Sequence, residues 1–383
     1  MKPRTRLRGF LLPHNACPAA ARSLARPQRR NATTSTSSTS SPTSQIRWLR
    51  LTVVTVTAAG IGAYIKWLQD SGSSTTLNPA RFTPYTLVSR ETVSSTGSLF
   101  TIKPPKSDGS NFEVYDAAWK TGVWSVMFKQ PQLQIGRDYT PLPSTDPDGD
   151  DECLRFFIRK DPFGEVSRYL HSLKIGAPIE VRGPRIECEI PSNTKTILFI
   201  AGGTGIAPAL QAGHTLLRRT DQTNKPKIHI LWANRRREDC KGGRNEITDS
   251  EVETQTSWLS RLFKPSKSAV TPGPSDVRDI MDGSLIVQEL EALKAQYPEQ
   301  VTVQYFVDDE NKFIGKKSIS DLTEAASPSP GTQSGNLIFV SGPEGFISYM
   351  AGPKLWAQGM ELQGPLRGII KELDLKDWAV WKL

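Results

Sequence analysis

Three glycines in four positions, Gly202, Gly203 and Gly205, follow an apolar run in "ILFIAGGTGIAPALQAG", Ile197 to Gly213. Pro208 falls in the first turn of the helix predicted next, where its missing N–H would have been unpaired anyway. Glycines let a backbone approach a pyrophosphate closely. A helix start adds free N–H groups and the positive end of the helix dipole. The order is G-x-G-x-x-P rather than G-x-G-x-x-G, and no acid stands at the usual distance for a ribose. Taken alone, the stretch is compatible with a nucleotide grip and equally with a tight strand-to-helix turn.

Upstream lies "GRDYTP", Gly136 to Pro141. Arg137 offers a rigid guanidinium fork for a phosphate, and Tyr139 offers an aromatic face and a hydroxyl for a planar ring. About 25 residues further on, Gly164 and Ser167 open "GEVSRYLHS", a second helix start suited to an anion. Near the C-terminus, Ser341, Gly342 and Pro343 end another apolar run. Each has an ordinary reading: Arg137 with Asp138 as a surface pair, Tyr139 as core, Gly164 as a turn. Their joint order is poorly explained by chance.

The elements that must position these residues fall into two classes. Over residues 80–190, short runs such as "YTLVS", "LFTIK", "VWSVMFKQ" and "PIEVRG" alternate with turn residues, which predicts a small antiparallel β-barrel. From Lys195 onward, "TILFIAG", "KIHILWA", "VTVQYFV" and "NLIFVSG" alternate with helical stretches. That alternation predicts an α/β doubly wound parallel sheet over 191–383. Residues 240–283 interrupt it and read as an insertion, and an acidic loop stands at 144–152.

The four motifs in this order resemble the ferredoxin reductase-type flavoproteins, nearest to NADH–cytochrome b5 reductase, over roughly residues 80–383. The resemblance implies a β-barrel FAD-binding domain followed by an NAD(P)-binding domain, with FAD and NAD(P)H as cofactors. It implies that Arg137, Tyr139, Thr140 and Pro141 hold the flavin and its phosphates, and that Gly164, Val166 and Ser167 bind the FAD pyrophosphate. Gly202, Gly203, Thr204, Gly205 and Pro208 would receive the nicotinamide nucleotide, with Gly342 and Pro343 closing over it. Thr204 and Ser341 would lie near the nicotinamide, and no residue would act as acid or base in the hydride transfer. Three departures stand out: Ser341 where relatives carry cysteine, Glu165 where several carry lysine, and a C-terminal segment with Trp378 and Trp381. In "WANRRREDC", Asp239 matches an acid that disfavours a 2′-phosphate, which points to NADH, whereas Arg235, Arg236 and Arg237 would attract one.

The formal charge of +9 is concentrated at the N-terminus: eleven basic residues precede Asp70, the first acidic residue, and residues 70–383 carry −2 without them. The body has no basic patch interleaved with aromatics, so nucleic acid is not an expected partner. Residues 1–45 are rich in Arg, Ala, Ser and Thr and free of acids, the composition of a mitochondrial transit peptide. Leu51 to Ile65 carries no charge, and residues 48–68, flanked by Trp48 and Trp67, predict one transmembrane helix. With the basic excess on the matrix side, the body would face the intermembrane space. The four cysteines and four histidines form no metal-ligand spacing, and no metal is expected. Transit segment, anchor and reductase body are similar to the fungal mitochondrial inner-membrane flavoproteins that assist haem attachment to cytochrome c. That likeness implies haem, or a haem protein such as cytochrome c or its attachment machinery, as electron acceptor. A mitochondrial NADH–cytochrome b5 reductase and a weakly active assembly scaffold are the alternatives.

Overall fold

Thr83–Thr92 (β1) turns Thr83, Tyr85 and Leu87 inward and Pro84, Thr86 and Val88 outward, the alternation of a strand with one dry face. This is a computed structural model, and it describes residues 75–144, 152–218, 225–245, 283–325 and 335–383. The transit segment 1–45 and the apolar segment 48–68 lie outside the described residues, as do most of the 144–152 loop and of the 240–283 insertion. No helix among the described residues is long and apolar enough to cross a membrane.

Six more strands join β1: Gly97–Lys103 (β2), Gly122–Gln130 (β3), Ile135–Tyr139 (β4), Pro141–Leu142 (β5), Leu154–Arg159 (β6) and Pro178–Glu189 (β7). All pairings are antiparallel, in the order β4-β3-β7-β1-β2-β6-β5. The two edge strands are consecutive in the chain, with only Thr140 between them. The sheet must therefore curl until its edges meet, and the chain itself makes the seam. The β3–β4 ladder ends at Val126 opposite Tyr139, whereas Pro141 pairs with Phe156 of β6. Tyr85, Phe100, Trp124, Phe128, Phe156 and Val181 fill the interior. Two helices cover it, Phe112–Thr121 (α1) and Glu165–Ser172 (α2). The sequence pattern gave no sign of α1, which buries only Tyr115 and Ala118.

Thr196–Gly202 (β8) is buried at every position, as a central parallel strand covered on both faces must be. It leads through the turn Gly203–Gly205 into Ile206–Leu217 (α3). Lys227–Asn234 (β9), Leu285–Gln296 (α4), Val301–Val307 (β10), Lys316–Ala325 (α5), Asn336–Ser341 (β11) and Glu344–Ala351 (α6) follow. A hairpin, Leu355–Ala357 (β12) with Met360–Leu362 (β13), precedes Gly368–Glu372 (α7) and Trp378–Lys382 (β14). The parallel order is β10-β9-β8-β11-β14, so the winding reverses between β8 and β11. Open sheets of this kind bind ligands at the carboxyl ends of the strands flanking that reversal. The Gly202–Gly205 turn and Ser341–Pro343 stand there.

Barrel and sheet share one core, in which Leu99, Val123, Leu142 and Phe157 pack with Phe199, Ile206 and Leu210. Polar contacts add to it. Arg155 of β6 pairs with Glu289 of α4, and Ser95 donates to Glu238 at 2.6 Å. Thr215 of α3 donates to the Trp119 carbonyl of α1 at 2.8 Å.

Candidate functional site

A cleft of about 270 Å³ opens where the barrel seam faces the winding reversal. Tyr139, Thr140, Ser125 and Phe157 line one wall; Thr204, Gly205, Pro208, Ser341 and Gly342 line the other. Residues scattered over two hundred positions of sequence thus share one cavity. Tyr139 is half-buried, its ring edge-on to Phe128 at 5.2 Å between centroids. Burial raises its phenol far above the ordinary range, so it stays neutral. Arg137 shares its face of β4 and is exposed, with one bond from Nη1 to the Gly136 carbonyl at 2.9 Å. Asp138, Arg185 and Glu187 line the cleft as well: Asp138 accepts from Arg185 at 3.1 Å, while Ser125 donates to Glu187 at 2.6 Å.

The glycines of the turn serve different needs. Gly203 has φ +56°, a conformation that costs side-chain-bearing residues about 1–2 kcal/mol. A Cβ there would meet nothing closer than Arg159 Nη1 at 3.8 Å, so the backbone faces open space. Gly205 is the opposite case: its Cβ would lie 2.3 Å from the Ser341 carbonyl oxygen and 2.9 Å from the Gly342 nitrogen. Trp232 of β9 fixes the turn by donating from Nε1 to the Gly203 carbonyl at 2.8 Å. Pro208 is the third residue of α3, within its first turn.

Arg159, at the end of β6, escaped the sequence reading. It reaches from the barrel to the nucleotide-type turn, and among the described residues its guanidinium has no ion-pair or hydrogen-bond partner. Only the packing of one domain on the other reveals this cation.

Gly164 is the N-cap of α2, and no side chain caps that helix. Ser167 Oγ accepts from the Asp161 N–H at 3.1 Å and donates to the Gly164 carbonyl at 3.2 Å. Val166 buries its side chain in the barrel core. The groups this helix start offers an anion are therefore its backbone N–H groups, and the serine hydroxyl shapes the turn. α2 packs on β3 and β4, beside the strand that carries Arg137. Pro141 is buried in β5, Gly202 packs against Phe346, and Pro343 is the N-cap of α6.

Asp239 is only 6% exposed, within a short turn after β9. Of the three arginines beside it, Arg237 makes a bidentate pair with Glu310 at 2.6 and 2.7 Å, and Arg236 pairs with Glu238 at 3.2 Å. The Arg237 fork holds the Glu310 carboxyl down at about 2. Arg235 is exposed. The described histidines are structural: His171 lies edge-on to Phe100, His214 packs on Trp119, and His229 bonds Thr302 at 2.8 Å. No group of metal-ligating side chains occurs among the described residues.

Two family models match successive parts of the chain. The model of the oxidoreductase FAD-binding domain matches residues 84–190, and that of the ferric reductase NAD binding domain matches residues 194–260. NADH-cytochrome b5 reductase 2-A of Vanderwaltozyma polyspora is 26% identical over 301 residues, covering 76% of this chain and 80% of the relative. An uncharacterized FAD-binding protein of Schizosaccharomyces pombe is 33% identical over 189 residues, covering 47% and 62%. The cytochrome c mitochondrial import factor CYC2 of Saccharomyces cerevisiae is 30% identical over 155 residues, covering 37% and 42%. The chain is an FAD-dependent NAD(P)H oxidoreductase, similar to those of the cytochrome b5 reductase type.

Proposed function

We propose that the cleft is where nicotinamide and flavin meet, and that the protein passes electrons from NADH to haem or a haem protein in cytochrome c maturation. The carrying observation is the pairing of Tyr139 and Thr140 on one wall with Thr204, Ser341 and Gly342 on the other. When bound, FAD supplies the acceptor for a hydride from the reduced nicotinamide. The residues supply everything else. Arg137 and the uncapped start of α2 hold phosphates, and Tyr139 gives a neutral aromatic face. The Gly203 backbone and the start of α3 receive the second pyrophosphate, with Arg159 closing from the barrel side. Gly342 and Pro343 border the nicotinamide, beside the hydroxyls of Thr204 and Ser341. The open backbone at Gly203 and the uncapped helix starts fit these groups. No acid or base is needed, because the reaction is governed by stacking and water exclusion.

NADH is the donor in this reading, because carboxylates occupy two of the three arginines near Asp239. The likeness to CYC2 supports a haem-linked acceptor in the mitochondrion, and the uncharged stretch 51–65 supports an inner-membrane anchor through 48–68. Anaerobic NADH should bleach the visible flavin absorption of the purified protein. A spectrum unchanged by saturating NADH would refute the assignment. Faster reoxidation by haem-loaded apocytochrome c mixtures than by cytochrome b5 is expected; the reverse order favours a mitochondrial cytochrome b5 reductase.

A further inference from the structure

The β3–β4 ladder stops at the pair Val126 and Tyr139. Continued by two residues, the same antiparallel register would set Trp124 opposite Pro141. That pair does not form, because Pro141 has left to join β6. The gap is filled from the other domain. Gln211 of α3, fully buried, accepts from the Trp124 backbone N–H at 2.9 Å and donates from Nε2 to the Pro141 carbonyl at 3.0 Å. A primary amide carries the same acceptor and donor as a peptide group, so it replaces one rung of the ladder.

We propose that Gln211 is a positioning residue that sets the separation of the two cleft walls. This rests on the reading of the cleft as the meeting place of nicotinamide and flavin. Gln211 stands on the helix that begins with the Gly203–Gly205 turn. Its carbonyl partner directly follows Thr140, which lines the cleft with Tyr139. One side chain thus couples the nucleotide turn to the barrel seam at a single register position. Both its bonds are buried, so its removal leaves a backbone N–H and a carbonyl unpaired on the barrel side. The seam then shifts relative to α3, and hydride transfer is steeply sensitive to displacements of an ångström.

The test uses the full-length FAD-loaded protein with Gln211→Met, which keeps length and loses the amide, and Gln211→Glu, which loses the donor to Pro141 when ionised. Thr215→Val, removing the neighbouring contact to Trp119, is the control. Gln211→Met is expected to keep FAD, to slow the limiting rate of flavin reduction by NADH about 100-fold, and to leave the NAD+ dissociation constant unchanged. The Trp124 amide should lose its protection from hydrogen exchange, with or without nucleotide, while Thr215→Val keeps the wild-type rate. Wild-type reduction rates in both Gln211 variants would overturn the proposal, as would equal slowing by Thr215→Val. Loss of FAD and fold in both variants would overturn it too, in favour of a purely structural role. If wild-type protein is not reduced by NADH, the reading of the cleft itself fails. Rapid reduction of wild type and variants alike sinks only the role of Gln211.

Discussion

Gly205 and Ser341 touch backbone to backbone: a Cβ on Gly205 would fall 2.3 Å from the Ser341 carbonyl oxygen. The strand ends flanking the winding reversal are therefore held as close as the chain permits. Gly205→Ala must push them apart, and overpacking of this kind costs about 1–3 kcal/mol. The denaturant midpoint should fall accordingly, with weakened NAD+ binding and FAD content intact. An unchanged midpoint would mean that the strand ends yield freely.

At Gly203 the expectation is different, because the space beside it is open. Gly203→Val should fold, with a strain of about 1–2 kcal/mol from its positive φ. The valine methyls would occupy the path of a pyrophosphate. Stopped-flow mixing should show FAD retained and reduction by NADH abolished; wild-type kinetics would place the nucleotide elsewhere.

The two arginines of the barrel should separate cleanly. Arg137→Ala should yield protein with little bound FAD, judged from the ratio of visible to protein absorption. Arg159→Ala should keep its FAD and raise the KM for NADH about tenfold, the value of one charge-assisted hydrogen bond. A variant at position 137 that remains fully yellow contradicts the first assignment, and an unaltered KM at position 159 contradicts the second.

Releasing Arg237 should alter cofactor choice. Glu310→Gln removes the carboxylate that occupies its fork and frees a bidentate site beside the turn after β9. The ratio of kcat/KM for NADPH over NADH should rise. No change in that ratio would show that the 2′-position is read by other residues.

Acid should destabilise the protein through two histidines. Burial depresses His214 and His229 to about 4, with Arg218 and Lys227 acting in the same direction. The unfolded chain, with an ordinary imidazole near 6.5, binds protons that the folded one refuses. Stability is therefore complete above about pH 6.5 and declines as pH falls toward 4. Urea midpoints measured across that range should drop, and His214→Gln should flatten part of the slope.

The segments that border the candidate cleft were legible because their signals are local. The turn at 202–208, the α2 start at 164–167 and the strand ends at 139–140 and 341–343 are each defined by adjacent residues. Ser167 shows the limit of such reading: its hydroxyl is committed to Asp161 and Gly164. Arg159 and Gln211 were invisible because their meaning comes from the partner domain. The β12–β13 hairpin was missed because all six strand residues are exposed and leave no periodic pattern. α1 is short, and its two buried side chains, three residues apart on one face, are too few to stand out as a periodic pattern.

The rung at Trp124 and Pro141 bears on how such proteins are assembled from exchangeable parts. The matched regions 84–190 and 194–260 suggest two modules that recombination could separate near residue 192. A barrel fragment cut there would lose α3, and with it the amide that completes the seam. The natural boundary in sequence is thus not a boundary in cooperativity. Grafting this barrel onto another nucleotide domain should keep the rate of flavin reduction only where the incoming helix brings its own glutamine.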